Sequence, residues 1–167
     1  MSRKKAVAGI DIGGTNTAFA IVDRKGNIIA EDKIKTSQYP RADEYVAALY
    51  GKIMHIYKKS EDDVELIGFG IGAPMGNINK GTIEHPANLP WKGITPLAEL
   101  FARHSDLPVV VTTDANAAAV GGMVYGGGKN RKDFVVVPLG TGLGSGCVVN
   151  GNLLCGHQCC AGELCHT

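Results

Sequence analysis

The 167-residue sequence predicts an α/β fold of order β-β-β-α-β-α-β-α, followed by the start of a second β-β-β unit. Three features carry this prediction. Short apolar runs recur along the chain, each bounded by glycine, proline or polar turns, as strands are. Segments with helical apolar spacing separate the later runs. Two of the strands run into glycine-rich turns, Asp11-Ile12-Gly13-Gly14-Thr15-Asn16 and Gly140-Thr141-Gly142-Leu143-Gly144-Ser145-Gly146.

The elements follow in order. Residues 5–11, 18–22 and 28–34 read as strands, with Asp23-Arg24-Lys25-Gly26-Asn27 as a hairpin turn. A helix fits 43–59, with Val46, Leu49, Ile53 and Ile56 on one face and Asp43 as its cap. Residues 65–71 form a buried strand ending in Gly72-Ala73-Pro74. The stretch 77–93 is polar and without periodicity, a length that points to a functional loop. Pro96 suits the first position of a helix through Arg103. Residues 108–112 read as another buried strand. A helix over 115–125 ends at Gly126-Gly127-Gly128. Residues 134–139 and 147–154 are strands, the latter bent at Asn150-Gly151.

The last three strands repeat the opening pattern, glycine turn included. This divides the chain into a first lobe, 1–130, and the beginning of a second, 131–167. A sheet begun there and left without covering helices keeps one face bare. The sequence therefore reads as part of a two-lobed protein.

Composition bounds the function. Apolar residues make up 44% and charged residues 20%, a folded chain's balance, and the net charge is +1. No basic block supports nucleic-acid binding. No apolar run is long enough for a membrane helix, and the apolar stretch after the basic start is broken by Asp11, so a cytoplasmic protein is expected. Cys155, Cys159, Cys160 and Cys165 cluster beside His157 and His166. Such residues can ligate zinc, but no C-x-x-C pair occurs, and reduced cytosolic thiols are the plainer reading. Glycine turns let backbone N–H groups crowd around an anion. Two of them suggest a clamp on a polyphosphate. Asp114 follows a strand and opens a helix, where a capping role is common.

Six motifs, in order along the whole chain, resemble the ROK family of bacterial sugar kinases and sugar-responsive repressors, and most closely its glucokinases. They are Asp11-Ile12-Gly13-Gly14-Thr15, Gly72-Ala73-Pro74, Asn88-Leu89-Pro90-Trp91-Lys92-Gly93, Asp114-Ala115-Asn116-Ala117-Ala118-Ala119, the Gly140–Gly146 loop and Gly162-Glu163-Leu164-Cys165-His166. The resemblance implies an actin-like ATPase (ribonuclease H-like) lobe and ATP-dependent phosphorylation of a hexose, with glucose at its 6-hydroxyl the first expectation. Asp114 is then the general base. Gly13, Gly14 and Thr15 from one side, and Gly140, Thr141, Gly142 and Gly144 from the other, would hold the ATP phosphates. Asp11 at a strand end suits Mg2+. Gly72, Ala73, Asn88, Thr113, Glu163 and His166 match sugar-contacting positions, and a homodimer is the family's usual state. Trp91 reads as loop packing.

The chain departs from the pattern at four places. Thr113 stands where asparagine is usual, Gly122 where glutamate is common, Cys165 where glycine is usual and Asn16 where many members carry lysine. His166 matches a family zinc ligand, but the cysteine segment that completes that site is not present, so zinc is not carried over. A repressor would carry a winged helix-turn-helix ahead of the first strand, and this chain enters that strand by about residue 5. An inactive fragment of a kinase is the other reading.

Overall fold

The computed structural model describes residues 3–138, 144–156 and 161. β1 (Lys4–Ile12), β2 (Thr17–Asp23) and β3 (Ile28–Ile34) form an antiparallel meander. In β1 the residues Ala6, Ala8, Ile10 and Ile12 are buried on one face, while Val7 and Asp11 are exposed on the other, the alternation a strand imposes. The β2–β3 turn is tied by the Asp23 carboxylate, which accepts from the amides of Lys25 and Asn27 at 2.8 and 2.9 Å.

α1 (Ala42–Lys58) buries Tyr45, Val46, Leu49, Ile53 and Ile56. Burial of each such aliphatic side chain contributes about 1.5–3 kcal/mol. The expected cap is corrected. The helix starts one residue early, its N-cap is Arg41, and Asp43 lies inside the first turn. There its carboxylate pairs with the Arg41 guanidinium at 2.6 Å and favours the positive end of the helix.

β4 (Val64–Gly72) runs parallel to β1. The aperiodic stretch 77–93 holds β6 (Thr82–Glu84), which pairs with β5 (Gly76–Asn77) at its start and with β7 (Ile94–Thr95) just beyond its end, a small antiparallel sheet. Strands of two or three residues carry no readable period. The Asn77 side chain shapes their turn by accepting from the amides of Asn79 and Lys80. α2 (Leu97–Ala102) is shorter than expected, and Pro96 is its N-cap rather than its first residue. β8 (Val109–Thr112) pairs with β4 alone at the sheet edge. It is therefore less buried than the sequence suggests: Val111 is fully covered and Val110 is 49% exposed.

The central sheet has the order β3-β2-β1-β4-β8. α1 and α2 build the main core on one face. α3 (Asp114–Tyr125) crosses the other, from Gly72 to the β2–β3 turn, where the Tyr125 hydroxyl donates to the Arg24 carbonyl at 3.1 Å. β9 (Phe134–Val136), β10 (Gly146–Val149) and β11 (Asn152–Leu153) form a separate sheet in the order β11-β10-β9. It repeats the order of the opening meander. Asn150 and Gly151 turn β10 into β11 with φ of 52° and 74°, the left-handed pair such hairpins favour. This sheet packs on α3 through Gly146, where a Cβ would lie 2.5 Å from the Ala115 carbonyl oxygen and 2.6 Å from the Ala119 Cβ. Its outer side shows Val135, Val137 and Val149, all exposed.

Candidate active site

The site forms where β1, β4 and β8 end together. The register sets Asp11 beside Gly72, and Gly72 beside Thr112, in one row. Neighbouring strands are about 4.8 Å apart. One residue beyond Thr112 the chain turns into α3, whose start sits directly over Gly72. A Cβ at Gly72 would lie 3.2 Å from the Ala117 Cβ and 3.4 Å from the Asp114 Cα. The bare glycine thus lets the helix descend onto the sheet and puts Asp114 next to Asp11.

Electrostatics records that closeness. The Asp11 carboxyl is raised above its ordinary value, first by loss of hydration and then by repulsion from Asp114. Two carboxylates held together in this way favour a cation between them or beside them. One carboxylate plus phosphate oxygens and water is a common Mg2+ environment, so the residues present fit that ion.

Capping of α3 falls to Thr113, not Asp114. The buried Thr113 hydroxyl accepts from the Asn116 amide at 3.2 Å. Asp114 is the first helical residue; its Oδ1 accepts from the Ala115 amide at 2.8 Å. Among the described residues no side-chain or backbone donor is found for Oδ2.

The β1–β2 turn lies next to this pair. The Gly13 amide donates to the Asn16 carbonyl at 3.0 Å and closes the turn, so it is spent within the chain. The amides of Gly14, Thr15 and Asn16 donate to none of the described residues and remain for an anion. Gly14 touches the carbonyl oxygen of Asn88, so the phosphate-type turn and the Asn88 loop are in direct backbone contact. Asn88 is exposed. The Ala73 amide donates to the Thr112 carbonyl at 2.9 Å, and the Ala73 carbonyl accepts from the Gly76 amide at 3.1 Å, so both backbone groups of Ala73 are held within the chain.

Gly144 is the described end of the second glycine loop. A Cβ there would lie 3.2 Å from the Ala115 Cβ, one residue from Asp114. Gly140, Thr141, Gly142, Glu163 and His166 lie outside the described residues, as do Cys159, Cys160 and Cys165. Among the described residues no group of three or more His, Cys, Asp and Glu could hold a metal ion.

Sequence reasoning missed two features. Asn116 is 2% exposed, and its Oδ1 is buried without a partner; an asparagine inside an alanine-rich helix is the signal that marks it. Tyr45, Thr17 and Thr36 join their hydroxyls beneath the β1–β2 turn. Burial raises the Tyr45 phenol well above its usual range, against the Thr17 bond, which lowers it. Nothing local in the sequence marks that trio, because its members are far apart along the chain.

The model of the ROK family matches residues 7–167. The chain belongs to the ROK family. It is 38% identical over 163 residues to the glucokinase of Streptomyces coelicolor, covering 95% of this chain and 48% of that one. It is 34% identical over 161 residues to the N-acetylmannosamine kinase of Yersinia pestis, covering 95% and 52%. Among solved structures it is similar to a ROK family glucokinase from Streptomyces griseus in complex with glucose and AMPPNP. There the TM-score is 0.81 at 33% identity, with 97% of this chain and 50% of that one covered. The ROK chain spans about half the length of the curated relatives it matches. Its fold is the expected actin-like ATPase N-terminal lobe.

One prediction follows from the Asp11–Asp114 pair. A raised folded-state carboxyl binds its proton more tightly than the unfolded chain does. Ionising it therefore costs stability, and the cost sets in as pH rises above the ordinary value of 3.8. Asp11→Asn is expected to raise the thermal midpoint at pH 7, with the gain fading as pH falls towards 4. It is also expected to weaken magnesium-dependent phosphate binding. Thermal melts of both proteins across that pH range check this; an unchanged or lower midpoint at pH 7 contradicts it.

Proposed function

We propose that this ROK chain carries the sugar-binding and first phosphate-binding half of an ATP-dependent hexose kinase, with glucose as the preferred sugar. The observation that carries the reading is the row Asp11–Gly72–Thr112 with Asp114 set over Gly72, next to a turn with open amides. Phosphoryl transfer needs little covalent chemistry from the protein; positioning and charge do most of it. The likeness to proteins named glucokinase, and to one bound to glucose and the ATP analogue AMPPNP, supports the same assignment.

In this reading Asp114 Oδ2 accepts the proton of the sugar 6-hydroxyl. The freed oxygen bonds to the γ-phosphorus as the bond to the bridging oxygen of ADP breaks. Asn88 and the Gly72-Ala73 backbone orient the sugar, with Thr113, Glu163 and His166 as further contacts. The amides of Gly14 and Thr15 hold phosphate oxygens, and Gly140, Thr141, Gly142 and Gly144 hold them from the second lobe. Asp11 would hold Mg2+, which supplies positive charge against the phosphates. The division at residue 130, with β9–β11 opening the second lobe, belongs to this proposal, as does a homodimer.

The apolar outer side of β9–β11 favours a second reading of the isolated polypeptide, in which sugar binds but no turnover follows. Closure between lobes excludes water and aligns phosphates. A coupled ADP-release assay with Mg-ATP and a panel of hexoses tests both. Glucose-dependent release supports the kinase reading. Soluble, folded protein that binds none of the sugars rules it out.

A further inference from the structure

The glycine turn and the Asn88 loop touch at the surface, and a second connection runs beneath them. Tyr45 on α1 has no exposed surface. Its hydroxyl lies 2.6 Å from Thr17 Oγ1, which in turn lies 2.8 Å from Thr36 Oγ1. Thr17 is the residue that closes the β1–β2 turn, paired with Ile12. Thr36 opens a single 3-10 turn whose Ser37 amide donates to the Thr15 carbonyl at 3.4 Å. The Tyr45 hydroxyl is thus fixed to the C-terminal end of the phosphate-type turn, directly at Thr17 and through Thr17 to the Thr36 segment that holds the Thr15 carbonyl.

The Tyr45 ring faces the other loop. Its centroid is 4.6 Å from that of Trp91, three residues after Asn88. Trp91 is 5% exposed, and its Nε1 donates to the Tyr39 carbonyl at 3.0 Å. Tyr39 packs edge-on against Tyr45 with centroids 6.0 Å apart. The contacts close a circuit: Gly14, Thr17, Tyr45, Trp91, Asn88 and back to Gly14.

A phenylalanine would fill the same ring volume, and a phenol at that depth is tolerated only because it is bonded. The hydroxyl therefore fixes the turn to the Trp91 loop rather than simply filling space. Resting on the kinase reading, we propose that Tyr45 is a positioning residue that couples the two loops, so that phosphate bound at the turn tightens sugar binding at the Asn88 loop. Ordering one loop pre-orders the other, and the second ligand then meets a smaller entropic cost.

The sole tryptophan is Trp91, so intrinsic fluorescence reports on this junction directly. Glucose is titrated into the chain with and without Mg-AMPPNP, in the native protein, Tyr45→Phe, Thr17→Val and Thr36→Val. Native protein should bind glucose about fivefold more tightly with Mg-AMPPNP, the lower end of ordinary coupling. Tyr45→Phe and Thr17→Val should bring that ratio close to one, with glucose affinity alone within about twofold of native. Thr36→Val leaves the Thr17–Tyr45 bond intact and should keep the coupling. A native ratio of one, or a ratio unchanged in both Tyr45→Phe and Thr17→Val, overturns the proposal. Should either variant unfold, the other together with Thr36→Val decides. If glucose and Mg-AMPPNP both fail to bind native protein, the kinase reading itself fails and this coupling falls with it.

Discussion

Asp114→Asn lowers glucose-dependent ADP release by about 10²–10⁴, the range removed when a general base is lost. The substitution keeps shape and size, and its Oδ1 can still accept from the Ala115 amide as Asp114 does now at 2.8 Å. Thr113 continues to cap the helix. The fold should therefore survive, and glucose affinity should change little. The signature is a fall in kcat without a matching rise in KM, the mark of an interaction made only in the transition state. The variant also removes the charge that faces Asp11 and helps to raise its carboxyl. Asp11 should then ionise at lower pH, which NMR titration of its side-chain carbon can follow. Undiminished turnover in Asp114→Asn would remove Asp114 from the mechanism.

Gly14→Ala is expected to damage both ligand sites at once. A single methyl at this position overlaps the Asn88 carbonyl oxygen, and the next atoms in its way, the Asn88 carbonyl carbon and Cβ, lie at 3.3 and 3.4 Å. Backbone cannot rotate aside as the end of a flexible side chain does, so one of the two loops must move. Overpacking of this kind costs about 1–3 kcal/mol. If half of that cost is relieved when the loops part, each loses its ligand geometry, and affinity for glucose and for Mg-AMPPNP falls about two- to tenfold. Isothermal titration with each ligand separately measures this. A variant that loses phosphate affinity but binds glucose like native protein would show that the Gly14–Asn88 contact does not position the sugar loop.

Much of the fold was legible because strands advertise themselves. Ala6, Ala8, Ile10 and Ile12 alternate with residues of the other face, and the structure buries that set. The α1 stripe of Val46, Leu49, Ile53 and Ile56 was equally plain. What sequence could not show depends on contacts between distant residues. The strands at Gly76, Thr82 and Ile94 exist only because they pair with one another. Helix caps were misplaced by two residues at Asp43 and by one at Asp114, since several polar residues near each start can cap and tertiary packing selects among them. β8 looked buried because Val109-Val110-Val111 is uniformly apolar, yet its edge position leaves Val110 outside.

The candidate site divides in the same way. Asp11, the glycine turn, Asn88 and Asp114 were visible as motifs. That Gly72 is the gap through which Asp114 approaches Asp11 was not, because the gap is made by a helix from forty residues further on.

The composition of α3 has a dynamic consequence. It lies between two sheets, yet its buried residues are only Ala115, Asn116 and Ala119, against five large side chains for α1. Gly121 and Gly122 in its middle each cost about 1 kcal/mol relative to alanine. Little apolar area holds it, and its smooth alanine and glycine surfaces resist sliding weakly. Amide hydrogens of α3 should exchange with solvent well before those of α1, which a peptide-resolved deuterium experiment would show. Equal protection of the two helices would mean that α3 opens only with the whole lobe. With the faster exchange, Asp114 would ride on the least anchored helix of the lobe, and a small slip along its axis would be enough to bring the carboxylate to the sugar or take it away.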